Sequence, residues 1–167
     1  MSPLPESPLP DLVIGALLAL FGVLVAQLVS MLQARLERQN KREILLRTKY
    51  EELGAHFLDS MKLPHALMTC TSTEDILVLT HQASGNNAHL LALLYFPLLR
   101  QATGQYIDSY SALLLTATSL HNPQDKRSLG MQVFDKPEYI QARNNHLAAR
   151  DHLQDQIQVH ATTYAKS

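Results

Sequence analysis

From Leu12 to Ala34 the chain reads LVIGALLALFGVLVAQLVSMLQA, twenty-three residues without a charge between Asp11 and Arg35. At about 1.5 Å of rise per residue, a helix of that length spans roughly 35 Å, enough to cross a hydrocarbon core about 30 Å thick. A cleaved signal peptide opens on positive charge and has a shorter apolar run, whereas Met1 to Asp11 holds Glu6 and Asp11 and neither Lys nor Arg. A helix buried in a soluble core seldom needs so long an uncharged run with apolar residues on every face. The sequence therefore predicts a transmembrane helix over residues 11–34. Pro3, Pro5, Pro8 and Pro10 hold residues 1–10 as an extended outer tail.

The flanks set a direction. Arg35, Arg38, Lys41, Arg42, Arg47 and Lys49 all lie on the carboxyl side of the span. Lys and Arg resist translocation, so the N-terminus is expected outside and the C-terminal bulk in the cytoplasm of a cell whose inner (plasma) membrane holds the chain. Residues 35–49 read as a basic juxtamembrane stalk, with Arg35, Arg38, Lys41 and Arg42 against anionic lipid headgroups. Within the span, Gly15, Ala19, Gly22, Ala26 and Ser30 recur every three or four residues, and Gln27 adjoins them. Small side chains on one stripe let two helix backbones approach closely in lipid, which points to a homo-oligomer.

Residues 35–49 carry six basic and two acidic groups, and residues 50–167 carry eight basic and eleven acidic. A mildly acidic distal domain argues against nucleic acid as a partner. Cys70 is the only cysteine, so an internal disulfide is excluded, in keeping with a reducing compartment.

Beyond the stalk the periodicity is helical throughout. A helix runs from about Ile44 until Pro64 ends it. Thr71 with Glu74, or Ser72 with Asp75, has the spacing of a capping box for the next helix, whose stripe is Ile76, Leu77, Leu79, Thr80 and Ala83. Ser84 to Asn87 reads as a turn, and Ala88 to Phe96 as the central core helix. Leu99, Ala102, Tyr106, Tyr110, Leu113, Ala117 and Leu120 form a packing seam. A loop of about fifteen residues follows from His121 to Asp135, longer than most connections in a compact domain. The last helix carries Tyr139, Ile140, Leu147, Leu153, Ile157, Ala161 and Tyr164. The expected fold is all-α: a single N-terminal transmembrane helix continuing into a cytosolic antiparallel helical bundle of about four helices over residues 50–167.

Chemistry leaves little trace. His56 with Asp59 and His152 with Asp155 stand three apart, the reverse of the Glu-x-x-His order of di-metal bundles, and supporting glutamates are missing. No His-Glu-x-x-His, Gly-x-Ser-x-Gly or phosphate-binding glycine loop occurs. Neither catalytic residues, metal ligands nor a cofactor are assigned, and the histidines are read as solvated or at the bundle edge. The distinctive segment is the long loop, where Asp125, Lys126 and Arg127 stand near the apolar Met131 and Phe134 and offer a contact for a cytosolic protein partner. The function expected is a membrane-anchored, self-associating interaction module without catalytic activity. The alternative is a ligand- or partner-gated membrane effector of the toxin or defence type.

Overall fold

The computed structural model of the protein describes residues 9–80 and 84–164, and everything regular in them is helical. The elements are α1 (Leu9–Ser60), α2 (Leu63–Thr69), α3 (Thr73–Thr80), α4 (Ser84–Tyr95), a 3₁₀ turn (Pro97–Leu99), α5 (Arg100–Leu120), α6 (Leu129–Val133) and α7 (Pro137–Tyr164). The outer tail expected over residues 1–10 lies outside the described residues except for Leu9 and Pro10. Those two open α1, where Pro fits because the first helical amides have no partner within the helix.

The chain divides into two compact units, Met1–Glu43 and Ile44–Ser167. In the first, every side chain from Gly15 to Glu43 is exposed. Among the described residues, α1 is the one helix long and apolar enough to cross a membrane, and none of its apolar window is buried within the chain.

The second unit has three contiguous apolar clusters. At one end Tyr50 and Leu53 of α1 meet Ala88 and Ala92 of α4 and Phe96 just after it, with Ile157, Ala161 and Tyr164 of α7 against them. In the middle Phe57, Ala102, Tyr106 and Leu153 close together. At the other end Leu113 and Ala117 of α5 pack with Tyr139 and Ala142 of α7 and with Leu63, Leu67, Ile76, Leu129 and Val133. Side chains of α4 small enough to admit the rings, Ala88 and Ala92, let Tyr50 and Phe96 meet edge to face at 5.2 Å. The α5 seam is as the periodicity predicts: Leu99, Ala102, Tyr106, Leu113 and Ala117 are buried, and Tyr110 and Leu120 partly so.

Three local expectations change, and the capping box narrows to one of its two pairs. Pro64 does not end a helix; α1 stops at Ser60, and Pro64 occupies the first turn of α2. Ser84 to Asn87 form the first turn of α4, not a connection. The capping box is Ser72 with Asp75: the Asp75 amide donates to Ser72 Oγ at 3.1 Å and the Ser72 amide to Asp75 Oδ2 at 3.2 Å. Asp75 is the better-placed reciprocal partner because α3 begins at Thr73, which makes Ser72 the capping position. Finally, the long loop folds into α6, because Leu129 and Val133 are fully buried and hold that turn against α2. Of the expected α3 stripe, Ile76 and Leu79 are buried and Leu77 is exposed; the side chains of Thr80 and Ala83 lie outside the described residues.

Gly130 lets α6 reach α2. The Leu129 amide donates to Cys70 O at 2.7 Å, and a Cβ on Gly130 would stand 2.8 Å from the Met68 carbonyl oxygen. Backbone cannot yield as a side-chain tip does. Gly130→Ala is expected to destabilise the domain by about 1–3 kcal/mol. Gly104→Ala, whose Cβ meets only His89 Cε1 at 3.6 Å, is expected to be neutral or stabilising by up to about 1 kcal/mol. Thermal unfolding of the full chain followed by circular dichroism separates the two.

Candidate functional site

Three hydroxyls bond a carbonyl of their own helix and also meet a ring on another helix. Ser60 Oγ donates to Phe57 O at 2.6 Å, Thr103 Oγ1 to Leu99 O at 3.0 Å, and Ser109 Oγ to Tyr106 O at 2.7 Å. Each oxygen also meets a ring atom of another helix at hydrogen-bond distance. Tyr106 OH lies 2.9 Å from Ser60 Oγ, His89 Nδ1 2.9 Å from Thr103 Oγ1, and His146 Nδ1 3.2 Å from Ser109 Oγ. These contacts tie α5 to α1, α4 and α7.

His146 is the member with consequences. It is 2% exposed, with the Tyr106 and Tyr110 rings 5.2 and 5.7 Å away. Burial first, and the Arg150 guanidinium second, push its pKa down to about 4, so the imidazole is neutral near pH 7. With the Ser109 proton given to Tyr106 O, the imidazole proton lies on Nδ1 and Nε2 is the acceptor, to which no side chain or backbone group of the described residues donates.

That ring lines a cleft of about 310 Å³. Met61, Met68, Leu113 and Leu147 supply apolar wall, and Arg143 and Arg150 stand on α7 one turn to either side of His146. Positions 143, 146 and 150 are spaced three and four, so one face of α7 presents guanidinium, imidazole and guanidinium in line. The Arg143 guanidinium carbon lies 5.9 Å from the Phe134 ring centroid. Arg150 donates to the neighbouring Asp151 Oδ1 from Nε and Nη2, at 2.9 and 2.7 Å. No carboxylate lines the cleft. Arg150 also favours ionised Tyr106, and Arg143 ionised Tyr139, although burial outweighs both and raises each phenol.

No protein-family model, curated protein or solved structure matches the chain.

A second cavity of about 310 Å³ lies where α4 meets α5, lined by Leu63, Gly85, Ile107 and Leu114 with no charged residue. The hydroxyl of Tyr110, which also lines it, is buried without a partner, and burial pushes its pKa up to about 12.

The residues singled out from sequence fall elsewhere. Gly15, Ala19, Gly22, Ala26, Gln27 and Ser30 are all exposed on α1, and a Cβ on Gly15 or Gly22 would meet nothing within 4 Å. Arg35, Arg38, Lys41 and Arg42 are exposed in the same unit. In the connection after α5, the buried Gln132 does the shaping. Its Oε1 accepts from the Asn122 amide at 2.9 Å and from His121 Nδ1 at 3.2 Å, while Nε2 donates to Asp125 O at 3.2 Å and Arg127 O at 2.8 Å. Arg127 pairs with Asp125 at 2.7 Å, which lowers that carboxyl's pKa, and Lys126 projects from the same turn. Met131 and Phe134 are 68% and 63% exposed, whereas Val133 between them is fully buried. His56, Asp59, His152 and Asp155 do not converge: among the described residues no three His, Cys, Asp or Glu side chains are grouped for a metal. Cys70 is buried, which raises its thiol pKa and keeps it protonated. Burial of His146 departs from the expectation that the histidines are solvated, and its partners are on α5, remote in sequence. The one local trace of the cleft was the Arg143, His146, Arg150 spacing.

A neutral buried histidine makes stability depend on pH. The unfolded chain binds the proton near pH 6.5 and the folded chain only near 4, so this contribution, about 3 kcal/mol, is fully present above pH 6.5 and lost as pH falls through about 4. The His146 Cε1–H resonance is expected to stay fixed from about pH 7.5 to 5.5 and to move only near pH 4. A midpoint near 6.5 would contradict the burial argument.

Proposed function

We propose that the chain is a single-pass membrane protein whose N-terminal helix anchors a cytoplasmic, non-catalytic helical interaction module. The observation that carries this is the exposure of eleven large apolar side chains between Leu17 and Leu32, from 43% at Val25 to 71% at Met31, with no partner inside the chain. At roughly 1.5–3 kcal/mol for burying each, leaving them in water forgoes on the order of 15–30 kcal/mol, more than the whole stability of a typical domain. Lipid removes that cost without requiring a protein partner along the full length. The basic residues Arg35, Arg38, Lys41 and Arg42 support a cytoplasmic C-terminal side and contact with anionic headgroups.

In this reading spans associate through Gly15, Ala19, Gly22, Ala26, Gln27 and Ser30, whose open surroundings in the single chain leave room for a second helix. The second unit serves as an antiparallel bundle formed by the end of α1 with α4, α5 and α7. Its partner surface is the turn bearing Asp125, Lys126 and Arg127 with the exposed Met131 and Phe134.

Alkaline extraction of membranes is expected to leave the full chain in the pellet, and a reporter fused after Ser167 is expected to be active only in the cytoplasm. Recovery in the aqueous fraction, or an outward reporter, overturns the anchor. Crosslinking in membranes is expected to give oligomers that Gly22→Leu reduces severalfold, because an added side chain separates the backbones. A monomeric wild type removes the self-association. Growth arrest with membrane depolarisation on overexpression would replace the interaction module by the effector reading.

A further inference from the structure

We propose that the cleft between α2 and α7 binds a small soluble phosphate monoester with an apolar substituent, held by Arg143 and Arg150 and hydrogen-bonded to His146 Nε2. This stands apart from the membrane reading, since it uses only residues of the second unit.

The cleft's charge selects the ligand's sign. Among the described residues, two guanidinium groups line a cavity without a carboxylate, and Arg150 pairs with its neighbour Asp151, with the Arg150 side chain one-third and that of Asp151 about three-fifths exposed. An ion pair of that exposure contributes little and is readily exchanged or shared. An anion entering the cleft gains charge-assisted hydrogen bonds from a planar fork suited to phosphate or carboxylate.

His146 narrows the class further. With the Ser109 proton on Tyr106 O, the proton of His146 lies on Nδ1 and Nε2 is the acceptor. The ligand must therefore bring a hydrogen-bond donor as well as negative charge. An ionised carboxylate or sulfate ester has none. A phosphate monoester, whose second proton is lost near pH 6, presents both in one group as its monoanion. The apolar walls Met61, Met68 and Leu147 call for a hydrocarbon or aryl substituent, and a volume of about 310 Å³, at the low end for ligand pockets, favours a small body over a two-chain lipid.

The test uses the full chain in phosphatidylcholine nanodiscs near pH 6, with phenyl phosphate, phenyl sulfate and inorganic phosphate as probes, followed by calorimetry and by the His146 Cε1–H resonance. Phenyl phosphate is expected to bind and shift that resonance, with phenyl sulfate and inorganic phosphate each weaker by about tenfold or more. Arg143→Gln and Arg150→Gln, both on the cleft rim, are each expected to weaken phenyl phosphate by about tenfold or more while leaving the thermal midpoint unchanged. Equal binding of the phosphate and sulfate esters overturns the donor requirement. Equal binding of inorganic phosphate overturns the apolar substituent. Competition by phosphatidic acid vesicles overturns the soluble source in favour of a lipid headgroup. Absence of binding at millimolar phenyl phosphate, or indifference to both Arg substitutions, overturns the site itself.

Discussion

A hydroxyl has one proton, and in this protein three buried or half-buried hydroxyls give it to a carbonyl of their own helix. What remains is an oxygen lone pair that calls for a donor from elsewhere. Tyr106, His89 and His146 meet that requirement, and in doing so they fix the register of α1, α4 and α7 on α5. Apolar contacts alone tolerate sliding and repacking, since they are non-directional. The hydroxyl contacts do not, because each depends on one atom reaching another.

The same constraint determines the chemistry available in the α2–α7 cleft. With the Ser109 proton on Tyr106 O, the tautomer of the His146 imidazole is set from α5, and that ring lines the cleft. Burial keeps it uncharged between two arginines, where a protonated ring would be repelled. A neutral acceptor flanked by cations is an unusual lining for a mere packing defect. It explains why the proposed ligand needs charge and a donor together.

Elsewhere the domain shows how a long connection becomes ordered without regular structure. Gln132, buried at the start of α6's last turn, uses both its amide protons and its oxygen on the backbone and ring of residues 121–127. Leu129 and Val133 supply the apolar attachment, and the bare backbone of Gly130 permits the approach to Met68. Under the proposed function this is what holds Lys126 and the Asp125–Arg127 pair on a rigid support, as a partner surface requires.

Sequence by itself determined the all-helical class, the apolar N-terminal helix, and the seam from Leu99 to Leu120, because these rest on local composition and on a 3.6-residue period that short windows contain. It located the cap at residues 71–75 but left its two members unresolved, and it read Pro64 as an end where the chain uses it as a beginning; both depend on where one helix turn starts, which neighbouring elements decide. Tertiary structure alone settled α6, whose five residues are too few to be stable as a helix without Leu129 and Val133 buried against α2. It alone brought His146 to Ser109 and set Arg143 and Arg150 around a cavity, since those neighbours are 37 residues apart along the chain and no periodicity on α7 reveals what α5 places opposite it.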